Sequence, residues 1–283
     1  MEKILITGSH GFVGQHLAAG LRGRDIVEFN LSQGKDVTKK QDFDNLPSDI
    51  ATVIHLAAIA NVPLSWEKPE EVLKVNLLGT LNVLEFARKV KAKVIFAASY
   101  LYGIPQKLPI TEEHPLSAEN PYGLSKLSAE ALCRIYSGRY DIPVISLRFF
   151  NIYGPGQAEN MVISQMIGEL KRDGKVTILD GRPKRDFVYI SDVVSAYLKA
   201  LEAGNTGFDA INIGSGESYS IAEIARKLIQ AAGLDEASLI DKHEERPNDI
   251  PETLADISQA KRKLGWEPKM NIDEGLKLTL SAS

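Results

Sequence analysis

The 283-residue sequence has little of several features that define other classes of protein. It contains a single cysteine, Cys133, so a disulfide within the chain is excluded, and its apolar neighbours predict a buried structural thiol. No apolar run approaches the roughly 18 residues that a membrane-spanning helix needs. The N-terminus leads from Met1-Glu2-Lys3 straight into a β-type run without a signal-peptide pattern. We therefore expect a cytoplasmic protein with no membrane partner.

An excess of positive charge and a metal-binding motif are also missing. The net charge is −4 at pH 7, with 25% charged residues, so composition gives no support to a nucleic-acid partner. The five histidines, His10, His16, His55, His114 and His243, stand far apart with no cysteine or histidine partner at metal-ligand spacing. We expect no metal site.

The sequence does contain short, nearly all-apolar runs that alternate with amphipathic stretches. The runs predict strands at 3–7, 25–29, 52–56, 93–98, 142–148 and about 209–213, and the stretches predict helices at about 12–22, 70–90 and 120–138 and from near Asp192. Strands that are apolar on both faces and joined by helices are typical of a parallel sheet. The sequence therefore predicts an α/β fold with a doubly wound parallel sheet.

A glycine-rich turn, Thr7-Gly8-Ser9-His10-Gly11-Phe12-Val13-Gly14, follows the first predicted strand. Glycines at this spacing allow a tight turn and let backbone N–H groups approach a pyrophosphate at a helix N-terminus, so a dinucleotide is the expected ligand. The second strand of an NAD site usually ends in an acidic residue, but here Asn30 stands there, with Lys35 nearby. Asparagine can bond the ribose without repelling a 2′-phosphate, so both NAD and NADP remain open.

Three further segments are candidates for the cofactor site. Asp36-Val37 is predicted to border the adenine, although Asp36 could instead cap a helix. His55-Leu56-Ala57-Ala58 ends the third strand with small residues that would let a cofactor lie against the backbone, and simple packing is the alternative. Asn76 is a polar residue in an apolar helix, where it either positions the active-site segment or satisfies a buried backbone group.

The segment Asn120-Pro121-Tyr122-Gly123-Leu124-Ser125-Lys126 places a tyrosine and a lysine four residues apart at a predicted helix start. Asn120 is a favourable N-cap and Pro121 a favourable first helical residue. Positions i and i+4 share one helix face, and a nearby cation favours the phenolate, so Tyr122 could act as an acid or base near neutral pH. A pair of this kind also arises by chance on solvated helices.

Together, these motifs resemble the extended short-chain dehydrogenase/reductase family, and within it the NAD-dependent nucleotide-sugar epimerases, dehydratases and reductases. The resemblance covers nearly the whole chain. Its motifs are Thr7 to Gly14, His55 to Ala58, Tyr102-Gly103, Tyr122 to Lys126, Leu147 to Gly156, Arg185 to Asp192, Asn212 to Gly214, Arg246 to Asp249 and Ala255 to Ile257.

The resemblance implies a Rossmann fold, NAD as the cofactor with NADP not excluded, a nucleoside-diphosphate sugar as the substrate, and a homodimer. We expect residues 1–152 and about 186–213 to form the dinucleotide-binding domain, and about 153–185 and 214–283 to form a smaller substrate-binding lobe. The expected cofactor-binding residues are Gly8, Gly11, Phe12, Val13, Gly14, Asn30, Asp36, Val37, Leu56, Ala57, Ala58, Asn76, Tyr122 and Lys126.

The resemblance also assigns chemical roles. Tyr122 is expected to be the catalytic acid/base, and Lys126 to bind the nicotinamide ribose and depress the tyrosine pKa. The expected substrate-binding residues are Asn151, Arg185, Arg246 and Asp249. Arginine suits bidentate phosphate contacts, although surface salt bridges with Asp186 or Glu245 are the alternative for the two arginines.

One position departs from the family pattern. The family places a Ser or Thr five residues before the glycine of its Tyr-Gly element, where the hydroxyl bonds the reacting sugar oxygen, and this chain has Ala98 there. Either the adjacent Ser99 provides the catalytic hydroxyl or the site lacks one. Dehydratases of the family carry an acidic pair after this hydroxyl, whereas here Tyr100 follows Ser99, so dehydration is disfavoured.

The sequence therefore favours a nucleoside-diphosphate-sugar 4-epimerase that acts by transient oxidation at C4. A nucleotide-4-keto-sugar reductase is the alternative, suggested by Asn30 and the short loop before Asp36. A third hypothesis, suggested by Ala98, is a non-catalytic dinucleotide-binding sensor or scaffold.

Overall fold

The computed structural model describes residues 2–245 and 249–282. Its strands are β1 (Lys3–Thr7), β2 (Asp25–Phe29), β3 (Ile50–His55), β4 (Lys93–Ala98), β5 (Val144–Phe149), β6 (Asn151–Tyr153), β7 (Val176–Ile178), β8 (Lys184–Arg185), β9 (Phe187–Tyr189), β10 (Phe208–Ile213), β11 (Tyr219–Ser220) and β12 (Leu239–Asp241). Its α-helices are α1 (Phe12–Gly20), α2 (Val62–Glu67), α3 (Pro69–Leu73), α4 (Gly79–Val90), α5 (Pro121–Tyr140), α6 (Val162–Asp173), α7 (Ile190–Glu202), α8 (Ile221–Ala231), α9 (Ser258–Leu264) and α10 (Ile272–Ala282).

The central sheet has six parallel strands in the order β10-β5-β4-β3-β1-β2. The chain adds β2 on one side of β1 and then crosses to add β3 on the other side. The strand order therefore reverses between β1 and β3, and the crevice at such a switch point is where open α/β sheets bind ligands.

Helices cover both faces of this sheet. In β1, Ile4 and Ile6 point into one apolar core and Leu5 points into the other, as the two-residue period of a strand requires. The first core includes residues of α1 and α7, and the second includes residues of α4 and α5. The prediction of a doubly wound parallel sheet is confirmed.

The predicted bounds of β1, β2 and β4 are also confirmed. The third predicted strand was placed too late, because β3 begins at Ile50 and ends at His55. The helix predicted at 70–90 is confirmed in extent, since the chain is helical from Pro69 to Val90, but its middle turn, Lys74–Leu78, is a π-helix that contains Asn76. The sequence reading also missed α2, whose start is capped by Asn61.

The smaller elements after β5 are tied to the sheet through buried carboxylates. Asp186 is fully buried and accepts hydrogen bonds from the backbone N–H groups of Ser215 and Gly216 in one segment and of Ala255 in another. Burial raises the pKa of Asp186 to about 6, and these hydrogen bonds oppose that shift. In the described part of the chain, no helix is long and apolar enough to cross a membrane, and no group of three or more His, Cys, Asp or Glu side chains could hold a metal ion.

Candidate active site

The start of α5 is fixed by its sequence. Asn120 has extended backbone angles, and its Oδ1 accepts a hydrogen bond from the N–H of Gly123 at 2.7 Å, while Pro121 occupies the first helical position. This cap confirms the predicted helix start. It places Tyr122 in the first turn and Lys126 one turn later, on the same face of the helix.

The hydroxyl of Tyr122 meets the end of β4. Ser99 directly follows this strand, and hydrogen bonding by its side chain lowers the pKa of the Tyr122 phenol. Ala98, where the family pattern has its hydroxyl residue, is buried in the core between the sheet and α5. Of the two candidate positions, only that of Ser99 provides a hydroxyl to Tyr122.

The electrostatics of Tyr122 differ from the sequence expectation. Burial raises its pKa above the ordinary value of 10, and the hydrogen bond from Ser99 works in the opposite direction. The expected lowering by Lys126 is not among the influences on this phenol, and the Lys126 ammonium lies over the ring of Phe96, 4.4 Å from its centroid. Burial also lowers the pKa of Lys126 to about 8, although the charge of Glu130 raises it.

A buried ion pair holds the same helix against the sheet. Glu130 lies on α5, one turn beyond Lys126, and its carboxylate accepts two hydrogen bonds from Arg148 of β5 at 2.5 and 2.9 Å. The two side chains are only 3% and 1% exposed. Ser146 donates to the same carboxylate, and Arg148 also donates to the hydroxyl of Tyr102. The helix that carries Tyr122 and Lys126 is therefore anchored to the carboxyl half of β5.

The glycine-rich turn lies between β1 and α1, beside the switch point. Gly8 has φ +75°, and a Cβ on it would lie 2.8 Å from the backbone nitrogen of Ala57. A Cβ on Gly14 would lie 2.3 Å from the carbonyl oxygen of Gly8. Both positions therefore require glycine, and the turn packs directly on the Ala57-Ala58 segment after β3. This is the compact, backbone-lined cradle that a dinucleotide pyrophosphate fits.

The residues predicted at the adenosine end have other partners. Asn30 is buried, its Oδ1 accepts from the N–H of His10, and its Nδ2 donates to Ser9 Oγ. Its amide thus braces the glycine-rich turn. Asp36 accepts from the N–H and hydroxyl of Thr38 in a local turn and does not cap the next helical turn, Lys40–Phe43, which begins after Lys39.

Asn76 connects three parts of the site. Its Oδ1 accepts from the N–H of Ile59, and its Nδ2 donates to the carbonyl of Ile59 and to Ser125 Oγ. Ser125 in turn donates to the carbonyl oxygen of Tyr122 at 2.7 Å. Asn76 therefore satisfies buried backbone groups and also links the segment after β3 to the start of α5, so the two sequence alternatives are both realised.

The predicted phosphate ligands form a second group. Arg185 donates to the carboxylate of Asp249 at 2.5 Å and to the carbonyl of Ile250 at 2.6 Å. The alternative partner Asp186 points elsewhere, and Glu245 pairs with Arg182 instead. The predicted residue Arg246 lies outside the described residues.

Two more residues border this second group. Asn151 begins β6, and its Nδ2 donates to the carbonyl of Asp186. The charge of Arg185 acts on the phenol of Tyr100, which directly follows Ser99. Tyr100 is therefore next to Ser99 in the chain and close enough to Arg185 to respond to its charge.

Sequence reasoning assigned no role to three residues that the structure places at the site. His55 is buried between Thr7 and Thr80, Ser125 bonds the backbone of Tyr122, and the phenol of Tyr100 responds to the charge of Arg185. A usable signal was present for His55 and Ser125, since a polar residue at the end of an apolar strand or on the inner face of a helix needs buried partners.

Known proteins of similar sequence and structure point to one family. Residues 4–214 match the model of the NAD dependent epimerase/dehydratase family. A putative UDP-glucose 4-epimerase from Methanocaldococcus jannaschii is 35% identical, over 97% of this chain and 96% of the relative.

Two solved structures are similar over nearly their whole length. The UDP-glucose 4-epimerase of Thermotoga maritima, solved with UDP-glucose, has a TM-score of 0.92 and 32% identity, covering 99% of this chain and 98% of that one. RMD from Pseudomonas aeruginosa, solved with NADPH, has a TM-score of 0.91 and 30% identity, covering 100% and 98%. The chain belongs to the NAD-dependent epimerase/dehydratase family of enzymes.

Proposed function

We propose that this protein is an NAD-dependent nucleoside-diphosphate-sugar 4-epimerase. The observation that carries the proposal is the pairing of Tyr122 with Ser99 at the carboxyl end of β4, one helical turn from Lys126 and beside the switch point of the sheet. The similar proteins described above include a UDP-glucose 4-epimerase solved with its UDP-sugar, so a UDP-sugar is the first substrate to test.

Tyr122 transfers the proton in this mechanism. Its phenolate removes the proton of the sugar C4 hydroxyl, and the resulting phenol returns that proton after the 4-keto sugar has turned over in the cleft. Ser99 donates a hydrogen bond that stabilises the phenolate against the cost of burial. Bound NAD would supply the group that takes up the C4 hydride and later returns it.

Lys126 contributes a buried positive charge on the same helix face. We propose that its ammonium binds the nicotinamide ribose and favours the phenolate form of Tyr122 once it leaves the ring of Phe96. The cofactor-binding residues are those expected from the sequence, from Gly8 to Lys126. Among them, Gly8 and Gly14 have the strongest steric support, because neither position has room for a Cβ.

The substrate diphosphate is proposed to bind at Arg185, with Arg246, Asn151 and Asp249 around the sugar and phosphates. Arg185 is paired with Asp249 in this structure, and a diphosphate would compete with that single carboxylate for the guanidinium. Residues 1–152 and about 186–213 would then form the cofactor domain, and about 153–185 and 214–283 the substrate lobe.

Dehydration has less support than epimerisation. The position after Ser99 carries Tyr100 instead of a carboxylate, its hydroxyl donates to the carbonyl of Gly103, and burial raises its pKa well above 10. A neutral phenol held in this way is a poor acid for expelling water from a sugar.

A nucleotide-4-keto-sugar reductase is the second candidate. Asn30 presents no carboxylate to repel a 2′-phosphate, and a structure of high similarity, RMD, was solved with NADPH. NADP therefore remains a proposed alternative cofactor.

We further propose that the protein is cytoplasmic and forms a homodimer through the helices around α4 and α5. Several apolar side chains on this surface are exposed: Leu78, Leu124, Ile135 and Tyr140. Sedimentation equilibrium tests the dimer, and a monomer at micromolar concentration would contradict it.

The decisive experiment is incubation of purified protein with uridine, thymidine and guanosine diphosphate sugars, with NAD or NADP, followed by proton NMR of the sugar. Inversion at C4 without net cofactor change supports the epimerase. Net oxidation of a reduced nicotinamide by a 4-keto sugar would establish the reductase instead. Tight cofactor binding without turnover of any sugar would leave only a sensor or scaffold.

A further inference from the structure

We propose that His55 is a positioning residue for the function proposed above. Its neutral imidazole, protonated at Nε2, holds the glycine-rich turn in register with the helix that carries Tyr122 and Lys126. His55 acts through its hydrogen bonds to Thr7 on one side and to Thr80 on the other. The inference rests on the proposed function, because the relative position of the glycine-rich turn and the helix matters for that reaction.

The position of the imidazole proton follows from the neighbours of His55. Thr80 Oγ1 lies 2.6 Å from the carbonyl oxygen of Asn76, a contact that requires a proton, and only the threonine can supply it. The threonine oxygen must therefore accept from His55 Nε2, 3.0 Å away. The other ring nitrogen, Nδ1, is then free to accept from the hydroxyl of Thr7 at 2.7 Å.

On the cofactor side, the chain ends in the glycine-rich turn. The N–H of Ala57 donates to Thr7 Oγ1 at 3.3 Å, so His55 and Ala57 both hold the threonine that immediately precedes Gly8. Gly8 lies so close to Ala57 that a side chain on it would collide with the backbone nitrogen. The position of the turn against β3 therefore depends on this set of bonds.

On the tyrosine side, Asn76 carries the chain onward. Its side chain donates to Ser125 Oγ at 2.8 Å, and Ser125 donates to the carbonyl oxygen of Tyr122 at 2.7 Å. The path therefore runs from the turn after β1, through His55 and Thr80, to the backbone of Tyr122. Each hydroxyl in it has one defined direction of donation.

The surroundings of His55 keep its ring neutral. The ring is fully buried, and both burial and the positive charge of Lys126 lower its pKa to about 3. Its centroid lies 5.9 Å from that of Phe96, the ring over which the Lys126 ammonium rests. A protonated imidazole would lose its acceptor for Thr7 and place a second cation beside Lys126.

Two substitutions break the same link from opposite ends. Thr80→Val removes the acceptor of the Nε2 proton, whereas His55→Asn keeps an acceptor near Thr7 but is too short to reach Thr80. We expect each to lower kcat about 10- to 100-fold while the KM for the nucleotide sugar stays within about threefold, because the reacting groups are misplaced and not removed. Thr52→Val is the matched control, a buried threonine of β3 outside the chain, and should retain full kcat.

The double variant separates positioning from general packing. Because both substitutions interrupt one link, the double variant should lose no more kcat than the more damaged single variant. Unchanged kcat in either single variant, or losses that multiply in the double variant, would overturn the proposal even if the melting temperature falls.

A spectrum gives a second readout that needs no turnover. In protein labelled with 15N-histidine, a long-range 1H–15N correlation of His55 should show the Nε2–H pattern, without titration between about pH 5 and 8. An Nδ1–H pattern, or an imidazolium forming in that range, would refute the inference. If the wild type converts no sugar, the proposed function fails, while this spectrum still decides the state of His55.

Discussion

Replacing Ser99 by alanine removes the hydrogen bond that lowers the pKa of Tyr122 against the effect of burial. A hydrogen bond to a charged group contributes about 1.5–3 kcal/mol, so its loss raises the tyrosine pKa and disfavours the phenolate by that free energy. The phenolate fraction near neutral pH then falls about 10- to 100-fold. Loss of a comparable donor in other enzymes costs about 10²-fold in rate. We therefore expect a loss approaching 10²-fold in kcat for Ser99→Ala.

The assay is the initial rate of C4 inversion as a function of pH. The acid limb of the kcat/KM profile reports the pKa of the base in the free enzyme, so it should move toward higher pH in Ser99→Ala. Much of the lost rate should return above that limb.

Two control variants distinguish the hydroxyl from its position. Ser99→Thr keeps a hydroxyl at the same place and should retain most of the activity. Adding Ala98→Ser to Ser99→Ala should not restore it, because residue 98 is buried in the apolar core. A rate for Ser99→Ala within a factor of about two of the wild type, with an unmoved acid limb, would refute the reasoning.

Three further predictions follow from the same contacts. Tyr122→Phe should abolish turnover while NAD affinity, measured by calorimetry, is largely kept; retained activity would rule out Tyr122 as the acid/base. Glu130→Gln should lower the free energy of unfolding, measured in urea, by about 3–5 kcal/mol because it leaves the charge of Arg148 buried without a partner carboxylate. The double variant Glu130→Leu with Arg148→Met should recover most of that loss. The pKa of His55 is about 3 in the folded protein and 6.5 in the unfolded chain, so only the unfolded chain gains a proton as the pH falls below 6.5. This residue should therefore lower the free energy of unfolding by about 2 kcal/mol between neutral pH and about pH 5. His55→Asn should have a correspondingly shallower dependence on pH in the same unfolding assay, and an equal slope would contradict this assignment.

The strands of the sheet were readable because each is a short apolar run bounded by turn residues. Lys3–Thr7 and Lys93–Ala98 have the predicted bounds, and Asn120 caps α5 as its residue type suggests. The π-helical turn between α3 and α4 could not be predicted, because the apolar pattern continues through this turn, which contains Asn76. Periodicity reports which face is buried, but a single extra residue per turn leaves little trace in it.

The chemistry of the candidate site could be predicted only in part from the sequence. The Tyr122 and Lys126 spacing predicted their shared face, but the direction of the tyrosine pKa depends on burial, which sequence neighbours do not reveal. The pairing of Arg185 with Asp249 joins residues far apart in the chain, and the adjacent Asp186 was the wrong expectation. The sequence alone could not decide between Ser99 and Ala98, because their surroundings depend on the geometry at the end of β4.

The central claim is that Tyr122 moves a proton while the C4 hydride leaves the sugar and returns to it within one active site. The most direct measurement uses UDP-glucose carrying deuterium at C4, incubated with the protein as isolated and followed by NMR and mass spectrometry. Our account predicts UDP-galactose that retains the C4 deuterium, with no net reduced cofactor. Inversion with deuterium lost from C4, or no inversion of this or any related nucleotide sugar, would contradict it.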